Sequence, residues 1–282
     1  MNELQLYLNY AGYCEASEHH AIRNGRKQTI KFHALFGLIR HPVKGWILFD
    51  TGYTQRFYEA TNRFPDRIYA LITKVYISPE DEVKQQLTRF GLTTDDISHI
   101  IISHFHADHI GGLKDFNKAT FYCSFAAYSQ VKRISKAFAF TKGILKSLIP
   151  DDFENRLRII EEFASTDTDD IFGRKYDLFH DGSLLIYQLP GHAAGQIGLL
   201  LKTRKQTYFL VADACWLKES YKNMILPHSS VRFFFHSWSD FKQSLKKIHT
   251  YYQQYPTTII VPTHCSATTF NLVSEKADIT LL

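Results

Sequence analysis

Ile97-Ser-His-Ile-Ile-Ile-Ser-His-Phe-His-Ala-Asp-His-Ile-Gly-Gly112 is the stretch that decides the reading of this chain. Its first six residues are mostly isoleucine, the pattern of a buried strand. Four metal donors follow within six residues: His104, His106, Asp108 and His109. Imidazole nitrogens and carboxylate oxygens are what a divalent transition ion takes. At an extended strand end alternate side chains share a side, so His104 and His106 are expected to project together. A turn beginning at Asp108 then swings Asp108 and His109 toward a second point, and Gly111-Gly112 lets the backbone bend sharply into the following helix. The cluster thus follows the C-terminal end of a strand, where open α/β architectures hold their ligands, and it can feed two ions.

Two ions need more donors, and three later strand ends each offer one. These are His192 in Leu-Pro-Gly-His-Ala-Ala-Gly195, Asp213 in Leu-Val-Ala-Asp-Ala-Cys-Trp216, and His264 in Val-Pro-Thr-His-Cys-Ser266. Upstream, the short apolar run Gly45–Phe49 ends in the turn Asp50-Thr-Gly52. A carboxylate there is a candidate for holding the free ring N–H of a ligating histidine. Further strands are expected at 3–10, 30–40, 184–189, 197–201, 207–212 and 258–261. Val83, Leu87 and Phe90 mark one face of a helix closed by Gly91, and another helix begins near Ser239. Between the halves, 128–163 reads as helical patches broken by Gly143 and Pro150. Its apolar residues suit a core-facing helix pair first, and an apolar lid second.

Composition narrows the class. The chain has 282 residues, 45% apolar, 15% aromatic and 22% charged, which is ordinary for a folded protein and excludes disorder as the main theme. Lys and Arg number 33 against 28 acids, a net +5 with no block of like charge along the sequence, so no nucleic acid is expected as partner. No apolar run approaches the roughly 18–20 residues that span a bilayer, and the first residues lack a signal-peptide pattern. No membrane partner is expected, and a cytoplasmic location is. The cysteines, Cys14, Cys123, Cys215 and Cys265, form no C-x-x-C and suit a reducing compartment. Cys215 and Cys265 neighbour donors, yet are read as packed strand-end residues.

In their order, these motifs resemble the metallo-β-lactamase fold superfamily, whose H-x-H-x-D-H signature is complete here as His104-Phe-His-Ala-Asp-His109. The resemblance runs over nearly the whole chain, from Asp50-Thr-Gly52 to Pro262-Thr-His264. It implies an α/β fold, a four-layer αββα sandwich in one domain, 1–282. Two β-rich halves, roughly 1–125 and 180–282, would flank a helical insertion at about 126–178. It implies His104, His106 and His192 on one metal, Asp108, His109 and His264 on the other, and Asp213 shared. The cofactors would be two divalent metal ions, with zinc (Zn2+) the first choice.

Within that superfamily the layout is most similar to the N-acyl-homoserine lactonase group. This implies a small-molecule lactone or ester substrate, opened by a metal-bridging hydroxide with Asp108 relaying the proton, and it admits a homodimer. Phosphodiester or phosphotriester hydrolysis and thioester hydrolysis are the alternatives on the same two-metal clamp. One departure stands out. The group carries a tyrosine three residues past the shared aspartate, and this chain has Trp216, whose indole donates one hydrogen bond but is no phenol. Tyr221 or Tyr53 would then supply the phenol, or the substrate differs. His228, His236, Phe233 to Phe235 and Trp238 form an aromatic loop that, with Trp216, is a candidate pocket wall.

Overall fold

Two sheets stack face to face, each covered on its outer side by helices. The structure, a computed structural model, describes residues 3–274. The first sheet contains β1 (Gln5–Ser17), β2 (Thr29–His41), β3 (Gly45–Phe49), β4 (Val75–Tyr76), β5 (Ile97–Ile101), β6 (Thr120–Cys123) and β7 (Leu157–Ile159), in the order β4-β1-β2-β3-β5-β6-β7. Its β1, β2, β3 and β4 pair antiparallel, while β3, β5, β6 and β7 run parallel. The second sheet contains β8 (Ala164–Asp169), β9 (Gly173–Asp177), β10 (Leu184–Gln188), β11 (Ile197–Lys202), β12 (Thr207–Ala212) and β13 (Ile259–Pro262). It is antiparallel until its last pair, β12 and β13, which is parallel.

Period-two alternation sorts the core into layers. Ile47 and Phe49 of β3 face Leu199, Leu201 and Val261 of the second sheet, whereas Leu48 faces outward against Ile110, Leu113 and Phe121. On the far side, Phe209 and Val211 of β12 pack under Leu245, Ile248 and Tyr251 of the helix Trp238–Gln254. Ser237 caps that helix by accepting a hydrogen bond from the Asp240 N–H. The layer sequence is therefore helix, sheet, sheet, helix.

Two sequence expectations change. The segment 126–178 is helical only in its first part, with Phe125–Arg133 the longest helix, and from Leu157 it turns to strands. There β7 completes the edge of the first sheet, and β8 with β9 begins the second. These strands are short and rich in charge, so alternation alone does not reveal them. The same segment is both core and cleft wall: Ile144, Leu145 and Leu148 are buried, while Phe140 and Gly143 reach the site. Among the described residues no helix is long and apolar enough to cross a membrane.

Candidate metal centre

Strand β5 ends at Ile101, and the chain then passes Ser103 and His104 before a single helical turn, Ala107–Ile110. The extended part aims His104 and His106 one way, and the turn aims Asp108 and His109 another. The structure brings His104, His106, His192 and Asp213 into one group, and Asp108, His109, Asp213 and His264 into a second, each with donor atoms within 4.8 Å of one another. All seven sequence-predicted donors are thus assembled, and Asp213 belongs to both groups. His106 Nδ1 and His192 Nε2 approach to 2.9 Å, and His264 Nε2 lies 2.9 Å from Asp213 Oδ2. His109 Nε2 stands 3.4 Å from both Asp108 and Asp213.

The donor set fits a pair of cations. His104 Nε2, His109 Nε2 and Asp213 Oδ1 are buried without any hydrogen-bond partner, an arrangement that is costly unless something else meets them. The opposite ring nitrogens are held. His109 Nδ1 lies 2.7 Å from Asp50 Oδ2, His104 Nδ1 lies 3.0 Å from Ser103 Oγ, and His264 Nδ1 donates to the His33 carbonyl at 2.9 Å. Such contacts fix the tautomer so that the other nitrogen faces the centre. Asp50 also accepts the Ser103 N–H and hydroxyl, both at 2.7 Å. It adopts φ +59°, a conformation non-glycine residues rarely take, as does Ala212 just before Asp213 at +48°. Backbone strain is therefore held beside the donors.

The bend after the donors uses no glycine-only conformation, for Gly111 is right-handed at φ −56°. Gly112 takes an ordinary right-handed conformation. What these glycines allow is close approach: a Cβ at Gly111 would stand 2.6 Å from the Gly52 carbonyl oxygen, and one at Gly112 would stand 3.1 Å from Thr51. The Asp50-Thr-Gly52 turn is strapped to the donor loop through this contact and through the Thr51 N–H, which donates to the His109 carbonyl at 2.8 Å.

Electrostatics keep both carboxylates ionised. Burial alone would raise Asp108, but the facing His109 and His264 overcome it and hold the group down at about 2. Asp213 is likewise held well below the usual carboxylate range: burial is outweighed by His264, His109 and His192. Burial drives His104 well down and His192 to about 3, leaving neutral imidazoles with lone pairs to give.

An apolar cleft of about 660 Å³ opens from His106 and His192. Its walls include Phe32, Tyr69, Ile72, Phe140, Phe233 and Phe234. Trp216 stands in this wall, 5.7 Å from His192 between ring centroids, with its indole Nε1 buried and unpartnered. Tyr221 does not reach the cleft. Its helix, Lys218–Asn223, turns the ring into the core beneath Leu245 and Ile248, 5.4 Å from Tyr252. Tyr53 is equally buried, in the other core. The phenol in the cleft wall is Tyr69, which the sequence reading missed. Burial first, then the charge of Asp108, raises it well above the ordinary tyrosine value, so it stays a protonated donor. Of the aromatic loop, Phe233 and Phe234 line the cleft, Phe235 and Trp238 pack inward with Phe241, and His236 sits on the surface near Gln130. His228 caps the turn Ser229–Phe234. Cys215 and Cys265 are buried thiols, and Cys265 Sγ accepts the Lys218 N–H at 3.3 Å.

Comparisons with known proteins agree with this geometry. The N-acyl homoserine lactonase AttM of Azorhizobium caulinodans is 28% identical over 257 residues, 89% of each chain. The N-acyl homoserine lactonase AiiB of Agrobacterium fabrum is 29% identical over 178 residues, 62% of this chain and 60% of its own. Among solved structures, an N-acyl homoserine lactone hydrolase with N-hexanoyl-L-homoserine at its catalytic metal centre superposes with a TM-score of 0.75 at 20% identity, covering 96% of this chain and 97% of its own. AidC, a dizinc quorum-quenching lactonase, superposes with a TM-score of 0.63 at 16% identity over 93% of this chain and 87% of its own. The signature of the metallo-beta-lactamase superfamily matches residues 31–264, from β2 to the last donor, and the chain belongs to that superfamily.

Proposed function

We propose that this protein is a metal-dependent hydrolase that opens the ring of an N-acyl homoserine lactone or a closely similar lactone. The observation that carries the reading is the junction of two buried donor groups, sharing Asp213, with the inner end of an apolar cleft of about 660 Å³. A site for one acyl chain beside one ester carbonyl has this form. The relatives named above support it.

His104, His106 and His192 would hold one ion, and Asp108, His109 and His264 the other, with Asp213 shared. Zinc suits this nitrogen-rich set. Two such ions supply a polarising charge for the carbonyl and an activated water. The chain's own residues do the rest. Asp108 Oδ2, ionised at neutral pH and 3.6 Å from His264 Nε2, accepts the proton of the attacking water and returns it to the departing alkoxide. Trp216, whose ring lines the cleft beside His192, bears on the bound substrate with its indole face. The Tyr69 hydroxyl is the donor in the wall. Phe140, Phe233 and Ile72 take the acyl tail and exclude water. The free cysteines suit a reducing compartment, and the cytoplasm is the location this reading assigns, where ring opening would silence acyl-lactone signals.

The test is proton release by zinc-loaded protein on butanoyl- and decanoyl-homoserine lactone beside an aryl phosphodiester, with Asp108→Asn as the control. Lactone turnover that rises with chain length and vanishes in the control is expected. Turnover of the phosphodiester alone would sink the reading.

A further inference from the structure

Three of the segments around the mouth of the cleft hold a charge the rest of the chain lacks. Residues 63–74, 133–146 and 228–236 contain eight Lys or Arg residues against one acid, Asp66, a net +7 in a chain whose total is only +5. The remainder of the protein is therefore slightly acidic. Six of these bases, Arg63, Arg67, Lys74, Arg133, Lys136 and Arg232, are exposed. Among the described residues none of the six is in an ion pair, whereas the preceding Lys132 is paired with Glu154 at 3.3 Å. A fourth bordering stretch, 14–21, adds two acids: Glu18 pairs with Arg26, and Glu15 lies on the cleft wall, while Asp66 of the first segment is buried.

The same segments expose large apolar side chains: Leu71 (66%), Ile72 (63%), Phe138 (66%), Phe233 (73%) and Phe234 (60%). Ile72, Phe233 and Phe234 border one cleft, and the helix Arg67–Ile72 packs against the turn Phe140–Lys142, which directly follows the helix Lys136–Ala139 that carries Phe138. A cluster of this kind on a water-facing surface marks a contact site. Its chemistry selects the partner. Isologous docking of a second copy would set +7 against +7, which like-charge repulsion opposes. A single-stranded nucleic acid would stack on Phe138, Phe233 and Phe234 but would leave the aliphatic Leu71 and Ile72 without a use. Apolar side chains entering the headgroup layer, with Lys and Arg above acidic lipids, satisfy both features at once.

We propose that the cleft mouth docks on an anionic lipid surface. Peripheral docking needs no spanning helix, so it revises the expectation of no membrane partner, which rested on spanning segments alone. The charge escapes a reading along the sequence because the fold gathers it from three separated stretches. Docking would also present the cleft directly to acyl chains dissolved in the bilayer. That consequence rests on the lactonase reading, while the docking does not.

Full-length, metal-loaded protein is sedimented with phosphatidylcholine vesicles containing roughly one-third phosphatidylglycerol, and with pure phosphatidylcholine vesicles. Binding to the acidic vesicles alone, released by added salt, is expected. The pairs Lys136→Ala with Arg232→Ala, and Leu71→Glu with Phe138→Glu, should each weaken binding at least about tenfold. Melting temperature and metal content of both should match the parent, readouts that need no turnover. Equal binding to both vesicle types, or variants that bind like the parent, would overturn the proposal. So would retention of a single-stranded oligonucleotide without vesicle binding, or a dimer in sedimentation velocity that the apolar pair dissolves.

Discussion

At the floor of the cleft the seven donors stand at or just beyond strand ends, all buried but the half-buried His106, with Asp50, Ser103 and the His33 carbonyl steadying three of the rings. At the mouth the wall is made of short helical pieces, Arg67–Ile72, Lys136–Ala139 and Ser229–Phe234, whose apolar side chains are partly in water. The two regions meet at His192, whose carbonyl accepts the His236 N–H, and still more closely at Gly143. Gly143, at φ +69°, lies so close to His106 that a Cβ there would stand 2.7 Å from the ring. Floor and mouth thus divide the work: the sheets set the chemistry, and the helical pieces set what reaches it.

The largest effect should come from the floor. Asp213→Ala removes the donor common to both groups and is expected to lower kcat/KM by about 10³-fold or more, with metal content falling below two per chain by elemental analysis. A variant that kept two metals and its rate would break the division at once. Asp50→Asn should cost about 10–100-fold in metal affinity or rate, because His109 and Ser103 lose a charged partner and one of its two accepting oxygens. Competition with a chelator measures the affinity. At the mouth, Phe140→Ala should raise KM for a decanoyl lactone about tenfold and change that for a butanoyl lactone about twofold or less. A matching fall for both substrates would place Phe140 in the chemistry.

The smallest effect sharpens the comparison from outside the site, on the strand that delivers it. His99, near the start of β5, is pushed down to about 4, by burial first and then by Lys44 and His41. Its folded value lies below its unfolded value of about 6.5, so it folds neutral. The unfolded chain takes up the proton first on acidification. Its contribution is therefore complete above about pH 6.5 and is lost as pH falls toward 4. His99→Phe should flatten the pH dependence of stability in that window by about 1 kcal/mol, allowing for partial screening by solvent. Urea midpoints at pH 7.5 and 5 measure it.

The donors were legible because their spacing is local. His104, His106, Asp108 and His109 need only one strand end and one turn, and His192, Asp213 and His264 each follow an apolar run that could be nothing but a strand. Side-chain direction on a short helix was not legible. Tyr221 and Tyr69 lie on six-residue helices with little periodicity, and tertiary packing turns the first into the core and the second into the cleft. At the two glycines after the donors the bend is legible, but the close approach that requires them is not. Sequence shows that no side chain is present there, not which backbone occupies the space.

His104, His106, Asp108 and His109 follow β5 of the first sheet, while His192, Asp213 and His264 follow β10, β12 and β13 of the second. The candidate centre therefore straddles the seam between two halves of the core. His264 reaches back across that seam to the carbonyl of His33, 231 positions earlier in the chain. Placed there, the donors act as a clasp as well as a catalyst. Ions held there would add a tie between two sheets joined by side-chain packing and by hydrogen bonds such as that of the Ile197 N–H to the Ser103 carbonyl, so the force that parts the sheets would also unfasten the reactive centre.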